Sequence, residues 1–352
     1  MILFVALLLL LCCVRVKFAG KGFFDGYIAP NDIQPIKGFF ILLIFAGHFI
    51  RYVTIGGPLN DPYFALKKLL GQMVVAMFLF YSGYGVTESV RRKGIPYVRA
   101  MPVNRLLKVL LQFDIAVMLY FALQALLGKT YPLRTVLLSL IGLMSPGNDC
   151  WYIFAILALY LCTFLAFWAF HDPKQEWMAH LAVTVLCLFF IWFMKRHRDG
   201  YWYNTVLAYV AGGWYSLFRG RIEALVKSSN RIWLFLTGVL AVGWYVLRRS
   251  WGSLVAYEVS AVVFALLILC VTAKVKIRSR VLSYCGKHLF SLYILQRLPM
   301  IALRGTALAQ SPYLYFVVCL AITFVISWLF DFGFAALWKA LTRLFSRKTA
   351  AA

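Results

Sequence analysis

Apolar runs long enough to cross a membrane recur along the whole chain, and they constrain its fold more than any other feature. Hydrophobic residues make up 63% of the 352 residues and charged residues only 14%. A soluble domain averages about half apolar and a quarter charged residues. Because the runs do not alternate between apolar and polar residues, they favour helices over barrel strands. The sequence therefore predicts an all-α, polytopic integral membrane protein, with residues 1–352 forming a single membrane domain.

These runs predict about eleven spans and one short segment. A first helix at 1–17 carries its basic residues after the apolar run, the reverse of a secretory signal peptide, so it is interpreted as uncleaved. Residues 133–144 are too few to span easily, and a re-entrant segment is predicted there. The other spans are predicted at 37–48, 64–89, 102–127, 151–170, 177–193, 201–218, 232–247, 254–273, 284–303 and 312–341.

The distribution of basic residues predicts which loops face the cytoplasm. The chain has 36 Lys and Arg against 12 Asp and Glu, which gives a net charge of +24. Because these residues lie between apolar runs, they are interpreted as topology signals and contacts to anionic lipid headgroups, and no nucleic-acid partner is expected. The predicted cytoplasmic segments are 91–99, 219–231, 274–280 and 343–348, while the basic residues at 195–198 are an exception on the opposite side.

No metal site is predicted. The eight cysteines lie mostly within apolar runs and form no C-x-x-C pair. They are interpreted as small core residues and not as ligands or as a disulfide framework.

The second predicted span has an ionisable residue at each end, Lys37 and His48. Ionisable groups inside a membrane are costly, and by default they mark a functional site. In a helix, eleven residues turn through three turns plus about 20°, so the two side chains share a face and lie about 16 Å apart. The alternative is structural: Lys37 reaches the interface and His48 bonds to a neighbouring helix.

Two other predicted spans carry motifs of interest. Arg105 and Lys108 lie three residues apart at the start of one helix, so they are expected on one face, although ordinary anchoring at the cytoplasmic side explains them equally well. Residues 82–85 read Ser-Gly-Tyr-Gly. They permit a close backbone approach or a local break, and a small-residue packing face is the alternative interpretation.

Polar and aromatic residues at the predicted outer boundary suit a sugar ligand. Asn148, Asp149, Trp151 and Tyr152 combine amide, carboxylate and aromatic groups, although an aromatic belt at the interface explains the two aromatic residues as well. Glu258, in a later span, is a further candidate for the cavity wall.

Together these motifs resemble acyltransferase family 3, whose members are membrane acyltransferases typified by O-antigen acetylases. Lys37 and His48 match the family's Arg/Lys-x10-His motif. Similar stretches follow in the family's order, at 80–85, 105–108, 151–152, 211–215 and 282–295, the last of which contains Tyr293. The resemblance implies a core of about ten spans over residues 36–345, with 1–17 as an extra N-terminal helix.

The resemblance also implies a reaction: an acyl group, commonly acetyl, moves from cytoplasmic acyl-CoA to a hydroxyl of an envelope glycan or glycolipid. The phosphates of the donor need cations, for which Lys37, Arg105 and Lys108 are the candidates. His48 and Lys37, which share a face, are the catalytic candidates. His48 would act as a general base on the acceptor hydroxyl or carry the acyl group itself.

The remaining site residues are assigned from their chemistry and position, given the reaction that the resemblance implies. Ser82 and Tyr84, or a backbone N–H near Gly83, are candidates to bind the donor and stabilise the oxyanion. The residues expected to bind the acceptor are Asn148, Asp149, Trp151, Tyr152, Glu258 and Tyr293. The expected location is the bacterial cytoplasmic membrane.

One departure from the family pattern keeps other functions open. Gln296 stands where many members have a histidine, so no catalytic role is assigned there. A subunit with an inactive site is one alternative. The other is a transporter or flippase of a polysaccharide or lipid-linked sugar, which the lack of visible internal repeats disfavours.

Overall fold

The computed structural model describes residues 14–58, 60–249 and 252–350. The elements, numbered in chain order, are β1 (Arg15–Phe18), α1 (Pro30–Phe49), α2 (Asp61–Leu70), α3 (Met73–Lys93), α4 (Ile95–Met101), α5 (Lys108–Leu126), α6 (Leu133–Leu140), α7 (Trp151–Ala169), α8 (Glu176–His197), α9 (Val206–Val226), α10 (Asn230–Arg249), α11 (Leu254–Thr272), β2 (Val275–Arg278), α12 (Arg280–Lys287), α13 (Leu289–Leu295), α14 (Arg297–Ala302) and α15 (Pro312–Ala350).

Long apolar helices dominate the part of the chain that the structure describes. Eight helical stretches there are long and apolar enough to cross a membrane, and most of them pack against one another in one bundle. Helix α9 and the consecutive short helices α12, α13 and α14 belong to the same bundle, with α9 against α3 and α12 against α1. The predicted all-α, polytopic membrane fold is confirmed, and the short segment predicted near residue 133 contains the eight-residue helix α6.

The start of the chain differs from the prediction where the structure describes it. Most of the helix predicted at 1–17 lies outside the described residues. Arg15, Val16 and Lys17 belong to β1, which pairs antiparallel with β2, so that Arg15 lies opposite Arg278. This two-stranded sheet was not predicted, since each strand has only four residues and lies in a basic stretch between apolar runs.

Two predicted continuous spans are broken in the structure, each for a local reason. The span at 64–89 is divided into α2 and α3 at Gly71, whose φ of +51° ends α2. The span at 284–303 is divided into α12, α13 and α14. Pro299 lacks an N–H and its ring conflicts with the carbonyl of Leu295, four residues earlier, which explains the break between α13 and α14 at Gln296.

A further irregularity lies between α4 and α5. Residues Pro102–Leu107 form a π-helix, which begins at a proline that cannot donate the usual α-helical hydrogen bond. A π-helix bonds residue i to i+5, so each residue turns through a smaller angle than in an α-helix. This segment carries Arg105, and it therefore changes the direction of that side chain relative to those that follow.

Helices α3 and α9 cross with their backbones in contact. A Cβ atom added at Gly83 would lie 2.0 Å from the Tyr209 carbonyl oxygen, and one at Gly212 would lie 2.1 Å from the Phe80 carbonyl oxygen. Small residues at helix crossings let membrane helices approach this closely. The 82–85 motif therefore serves, at Gly83, as a packing face, and the crossing holds α3 in the position from which it reaches the candidate site.

Candidate active site

A cavity of about 560 Å³ lies at the C-terminal end of α1. Five residues singled out from the sequence line it, namely His48, Asn148, Asp149, Trp151 and Tyr293. They come from α1, the loop before α7, the start of α7 and α13. The structure thus brings together residues that the sequence assigned separately to catalysis and to acceptor binding. We call this space the His48 cavity.

The loop before α7 brings Asp149 against His48. Nδ1 of His48 lies 3.2 Å from Oδ2 of Asp149, which is ion-pair distance, although the two atoms are not aligned for a regular hydrogen bond. Both side chains are largely buried, with exposed fractions of 13% and 11%. Asp149 was expected to bind the acceptor, and in the structure it lines the cavity and contacts the histidine directly.

Two arginines complete the surroundings of the Asp149 carboxylate. The guanidinium of Arg51 donates a hydrogen bond to Oδ1 at 3.3 Å, and Nη1 of Arg297 lies 3.3 Å from Oδ2. Burial of the carboxyl group favours a higher pKa, but its electrostatic interactions with His48, Arg297 and Arg51 outweigh burial and hold the pKa of Asp149 below its ordinary value. The carboxyl group is therefore ionised at neutral pH.

An ionised Asp149 beside Nδ1 fixes the chemistry of the imidazole. A carboxylate at one ring nitrogen favours the proton on that nitrogen and leaves the other as an acceptor. Nε2 of His48 makes no hydrogen bond with any residue that the structure describes, and the histidine lines the cavity. Such an arrangement suits a general base, since the second nitrogen is available to a ligand.

Asn148 and Tyr293 frame the same site. Oδ1 of Asn148 accepts a hydrogen bond from Ser145 Oγ at 2.8 Å, while its buried Nδ2 has no partner among the described residues. The Tyr293 hydroxyl donates to the Asp149 backbone carbonyl at 3.0 Å, and its ring centroid lies 6.3 Å from that of His48. Nδ2 of Asn148 is thus an unused hydrogen-bond donor in the wall of the cavity.

Two other predicted residues pack next to this wall. The ring of Tyr152 lies 5.5 Å from that of Tyr293 and 6.0 Å from that of Trp151. Ser82 lies beside the Tyr152 hydroxyl. This aromatic group connects the His48 cavity with the interior of the bundle.

Lys37 and Arg105 lie deeper in the bundle, among tyrosines. Nζ of Lys37 lies 5.5 Å from the centroid of Tyr81, whose buried hydroxyl has no hydrogen-bond partner in the described part of the chain. Nε of Arg105 donates to the Tyr97 hydroxyl at 3.0 Å, and its guanidinium lies 5.8 Å from the centroid of Tyr160. Among the described residues, neither cation has an ion pair with a carboxylate. Unpaired cations inside a membrane protein are costly, which makes these two residues candidates to bind an anion.

Lys108 lies elsewhere. It lines a separate cavity of about 590 Å³ with His288 and Asp331, and its Nζ is 5.5 Å from the centroid of Trp338. The expectation that it shares a face with Arg105 is wrong, because the π-helical turn before it rotates the two side chains apart.

Two other predicted residues also point to different partners. The Tyr84 hydroxyl accepts a hydrogen bond from Arg219 at 2.8 Å. Glu258 is buried and accepts a hydrogen bond from the Leu207 N–H at 2.9 Å, at the start of α9. Neither residue lines the His48 cavity.

Sequence reasoning missed Arg51 and Arg297. The signal for Arg297 was present, because an arginine in the apolar stretch 289–302 is an ionisable group within a membrane segment. Arg51 gave no comparable signal, since it follows the end of α1 and resembles an ordinary anchoring residue. Gln296, the departure from the family pattern, is buried, and its side-chain amide donates to the Tyr293 carbonyl at 2.8 Å.

The fold and this cavity define a class: a polytopic helical membrane protein with a histidine–aspartate pair at the end of one span. The chain belongs to acyltransferase family 3, whose model, described as an acyltransferase domain, matches residues 31–332. It is therefore a membrane acyltransferase. No curated protein and no solved structure matches it. No group of three or more metal-ligating side chains occurs within the described ranges.

Proposed function

We propose that this acyltransferase moves an acyl group, commonly acetyl, from cytoplasmic acyl-CoA to a hydroxyl of a glycan or glycolipid outside the membrane. The bacterial cytoplasmic membrane is the proposed location. The observation that carries the proposal is the His48–Asp149 pair, whose free Nε2 is available in a cavity large enough for a sugar.

The chemistry follows from the arrangement of the pair. Nε2 of His48 takes the proton of the acceptor hydroxyl as that oxygen attacks the thioester carbonyl. The carbon–sulfur bond then breaks, and the proton passes from Nε2 to the leaving thiolate. Asp149 stabilises the imidazolium between these two steps. The unpaired Nδ2 of Asn148 is the proposed donor to the oxyanion, in place of the donors expected from the sequence.

The positions of the two partly buried cations among the tyrosines support entry of the donor from the other end of the bundle. Lys37 and Arg105 would bind the donor's phosphates, for which a lysine supplies a point charge and an arginine a planar fork. The spacing of Lys37 and His48 along α1, about 16 Å, suits an extended pantetheine arm. The ring of Tyr152 packs against Tyr293, and the ring of Tyr293 packs against His48. These two tyrosines would form the wall along that arm.

Substitution of Lys37 and Arg105 tests the donor site. We expect Lys37→Ala and Arg105→Ala each to weaken acetyl-CoA binding by about 1.5–3 kcal/mol, roughly 10- to 150-fold, because each removes a charge-assisted contact to phosphate. Lys108→Ala is the control, since its side chain lies against Trp338. Binding is measured by calorimetry on purified protein. Tight binding by both variants, or loss of binding only in Lys108→Ala, would place the donor elsewhere.

Cysteine labelling tests the orientation. We expect Thr130→Cys to react with a membrane-impermeant maleimide in intact cells, while Arg92→Cys reacts only after lysis, because the two exposed residues lie at opposite ends of the bundle. The background is a variant in which the eight native cysteines are replaced. The reverse pattern would put the His48 cavity on the cytoplasmic side.

The activity itself is tested with radiolabelled acetyl-CoA and envelope glycans, using protein in nanodiscs. Transfer of label to glycan hydroxyls is the expected result. Mass spectrometry of glycans from cells with and without the gene identifies the acceptor. Movement of a glycan across the membrane without acylation would favour a transporter instead.

A further inference from the structure

A further cavity, of about 520 Å³ and distinct from the one at Lys108, lies beside the His48 cavity. Its lining includes three cations, Lys129, Arg297 and Arg304, together with Tyr52 and Gln124, and no carboxylate. We call it the basic cavity. None of the motifs found in the sequence includes Lys129 or Arg304, and the acyl-transfer chemistry described above does not use them.

Arg297 connects the two cavities. Its Nη1 lies 3.3 Å from Oδ2 of Asp149, and its Nε donates to the Tyr52 hydroxyl in the wall of the basic cavity at 2.7 Å. Its side chain is only 19% exposed, so the guanidinium is held between the two spaces. Only the Arg297 guanidinium would therefore separate a group bound in the basic cavity from Asp149, the residue that contacts His48.

The charges around the two cavities are unbalanced. Arg51 and Lys67 line the His48 cavity, so the two linings together hold five Lys and Arg side chains. The two linings together hold one carboxylate, Asp149 in the His48 cavity, and it already contacts His48, Arg51 and Arg297. Within the described residues, Lys67, Lys129 and Arg304 have no ion pair.

Such an excess of positive charge is unnecessary for a neutral sugar. Aromatic faces and a few amide or hydroxyl groups suffice to bind neutral ligands, whereas guanidinium and ammonium groups bind carboxylate and phosphate by charge-assisted hydrogen bonds. A lining of one charge sign also concentrates ligands of the opposite sign and disfavours others.

We propose that the acceptor is an anionic glycan, and that its carboxylate or phosphate binds in the basic cavity at Lys129, Arg297 and Arg304. The acceptor hydroxyl then enters the His48 cavity. This inference rests on the proposed transfer to a glycan and adds its charge class. An anion in the basic cavity could also belong to a lipid headgroup. Because Arg297 joins this cavity to Asp149, we propose that the anion belongs to the acceptor.

A matched pair of acceptors tests the proposal. We compare acetyl transfer to methyl β-glucuronide and to methyl β-glucoside, which differ in one carboxylate. The wild-type protein is expected to show a kcat/KM at least about tenfold higher for the glucuronide, carried mainly by KM. Arg304→Gln and Lys129→Gln should each lower this ratio several-fold. Arg134→Gln, an exposed cation at the same end that lines neither cavity, should keep it. Equal kcat/KM values in the wild type, or an unchanged ratio in both variants, would overturn the proposal.

Binding without turnover separates this proposal from the proposed reaction. Calorimetry on the His48→Ala variant should show tighter binding of the glucuronide than of the glucoside, and Arg304→Gln in that background should remove the difference. If this holds while no acceptor is acylated by the wild type, the anion site stands and the reaction is wrong. If acylation occurs but the two probes bind equally, the reaction stands and the anion site is wrong.

A third measurement separates the two sources of the anion. The glucuronide titration is repeated in nanodiscs of phosphatidylcholine and of phosphatidylglycerol. Similar binding in both supports the acceptor as the source. Loss of glucuronide binding in phosphatidylglycerol alone, restored by Arg304→Gln, would assign the basic cavity to a lipid headgroup and overturn the proposal.

Discussion

The His48→Ala variant is expected to lose acyl transfer by about 10²- to 10⁴-fold, since a positioned general base typically contributes that much. The variant should still fold and still bind acetyl-CoA, because His48 lies towards the other end of α1 from Lys37 and has no polar contact with Lys37 or Arg105. Turnover and donor binding are measured on the same purified sample. Asp149→Asn should also lose activity, since a neutral amide no longer stabilises the imidazolium.

His197→Ala is the control for this prediction. His197 is exposed at the end of α8, and its ring stacks on Phe193 at a centroid distance of 4.4 Å. It lines neither the His48 cavity nor the basic cavity, so its loss should leave transfer near the wild-type rate. Near-normal turnover by a well-folded His48→Ala protein would show that the histidine only packs α1 against its neighbours.

The features that sequence could predict are those with a local pattern. Lys37 and His48 lie on one helix, so the helical period alone placed both on one face. The apolar runs placed most spans within a few residues, because spanning length is set by the thickness of the bilayer. The position of Asp149 at a membrane boundary, just before the span predicted at 151–170, was also predicted, although its partner was not.

The features that could not be predicted depend on contacts between distant segments. Asp149 meets His48 only because α1 and the loop before α7 pack together, and nothing in either segment specifies the other. The contact of Arg297 with Asp149 could not be predicted for the same reason. Arg297 is the first residue of α14, and the break at Gln296 sets the direction of that helix, which brings the Arg297 guanidinium to Asp149. The pairing of β1 with β2 likewise joins two segments that lie far apart in the sequence.

Local irregularity caused the other errors. A regular helix would have put Arg105 and Lys108 on one face, and the π-helical turn separates them. The partner of Tyr84 was also not predicted, although this residue lies in a regular helix. Tyr84 is three residues from Tyr81, which faces Lys37, yet the Tyr84 hydroxyl contacts Arg219 on α9. Knowledge of the neighbouring helix was needed to choose between these partners.

The crossing of α3 and α9 gives the second large effect, and α3 itself supplies the control. We expect Gly83→Ala to prevent correct packing, because its Cβ would lie 2.0 Å from the backbone carbonyl oxygen of Tyr209. Gly85→Ala, two residues further along the same helix, has nothing within 4 Å of its Cβ. It should be neutral or slightly stabilising, since alanine favours helix by up to about 1 kcal/mol over glycine.

The consequence of the Gly83 substitution should reach the active site. A backbone carbonyl cannot move aside as the end of a flexible side chain can, so the two helices must separate, at a cost of at least about 1–3 kcal/mol. Helix α3 carries Tyr81 beside Lys37 and Ser82 beside Tyr152, so its displacement should weaken donor binding as well as stability. Thermal unfolding in detergent, followed by size-exclusion chromatography, measures the first effect, and acetyl-CoA calorimetry the second. The contrary result would be that Gly83→Ala and Gly85→Ala unfold at the same temperature and bind acetyl-CoA equally well. In that case α3 and α9 do not cross with their backbones in contact, and the crossing cannot be what positions Tyr81 and Ser82.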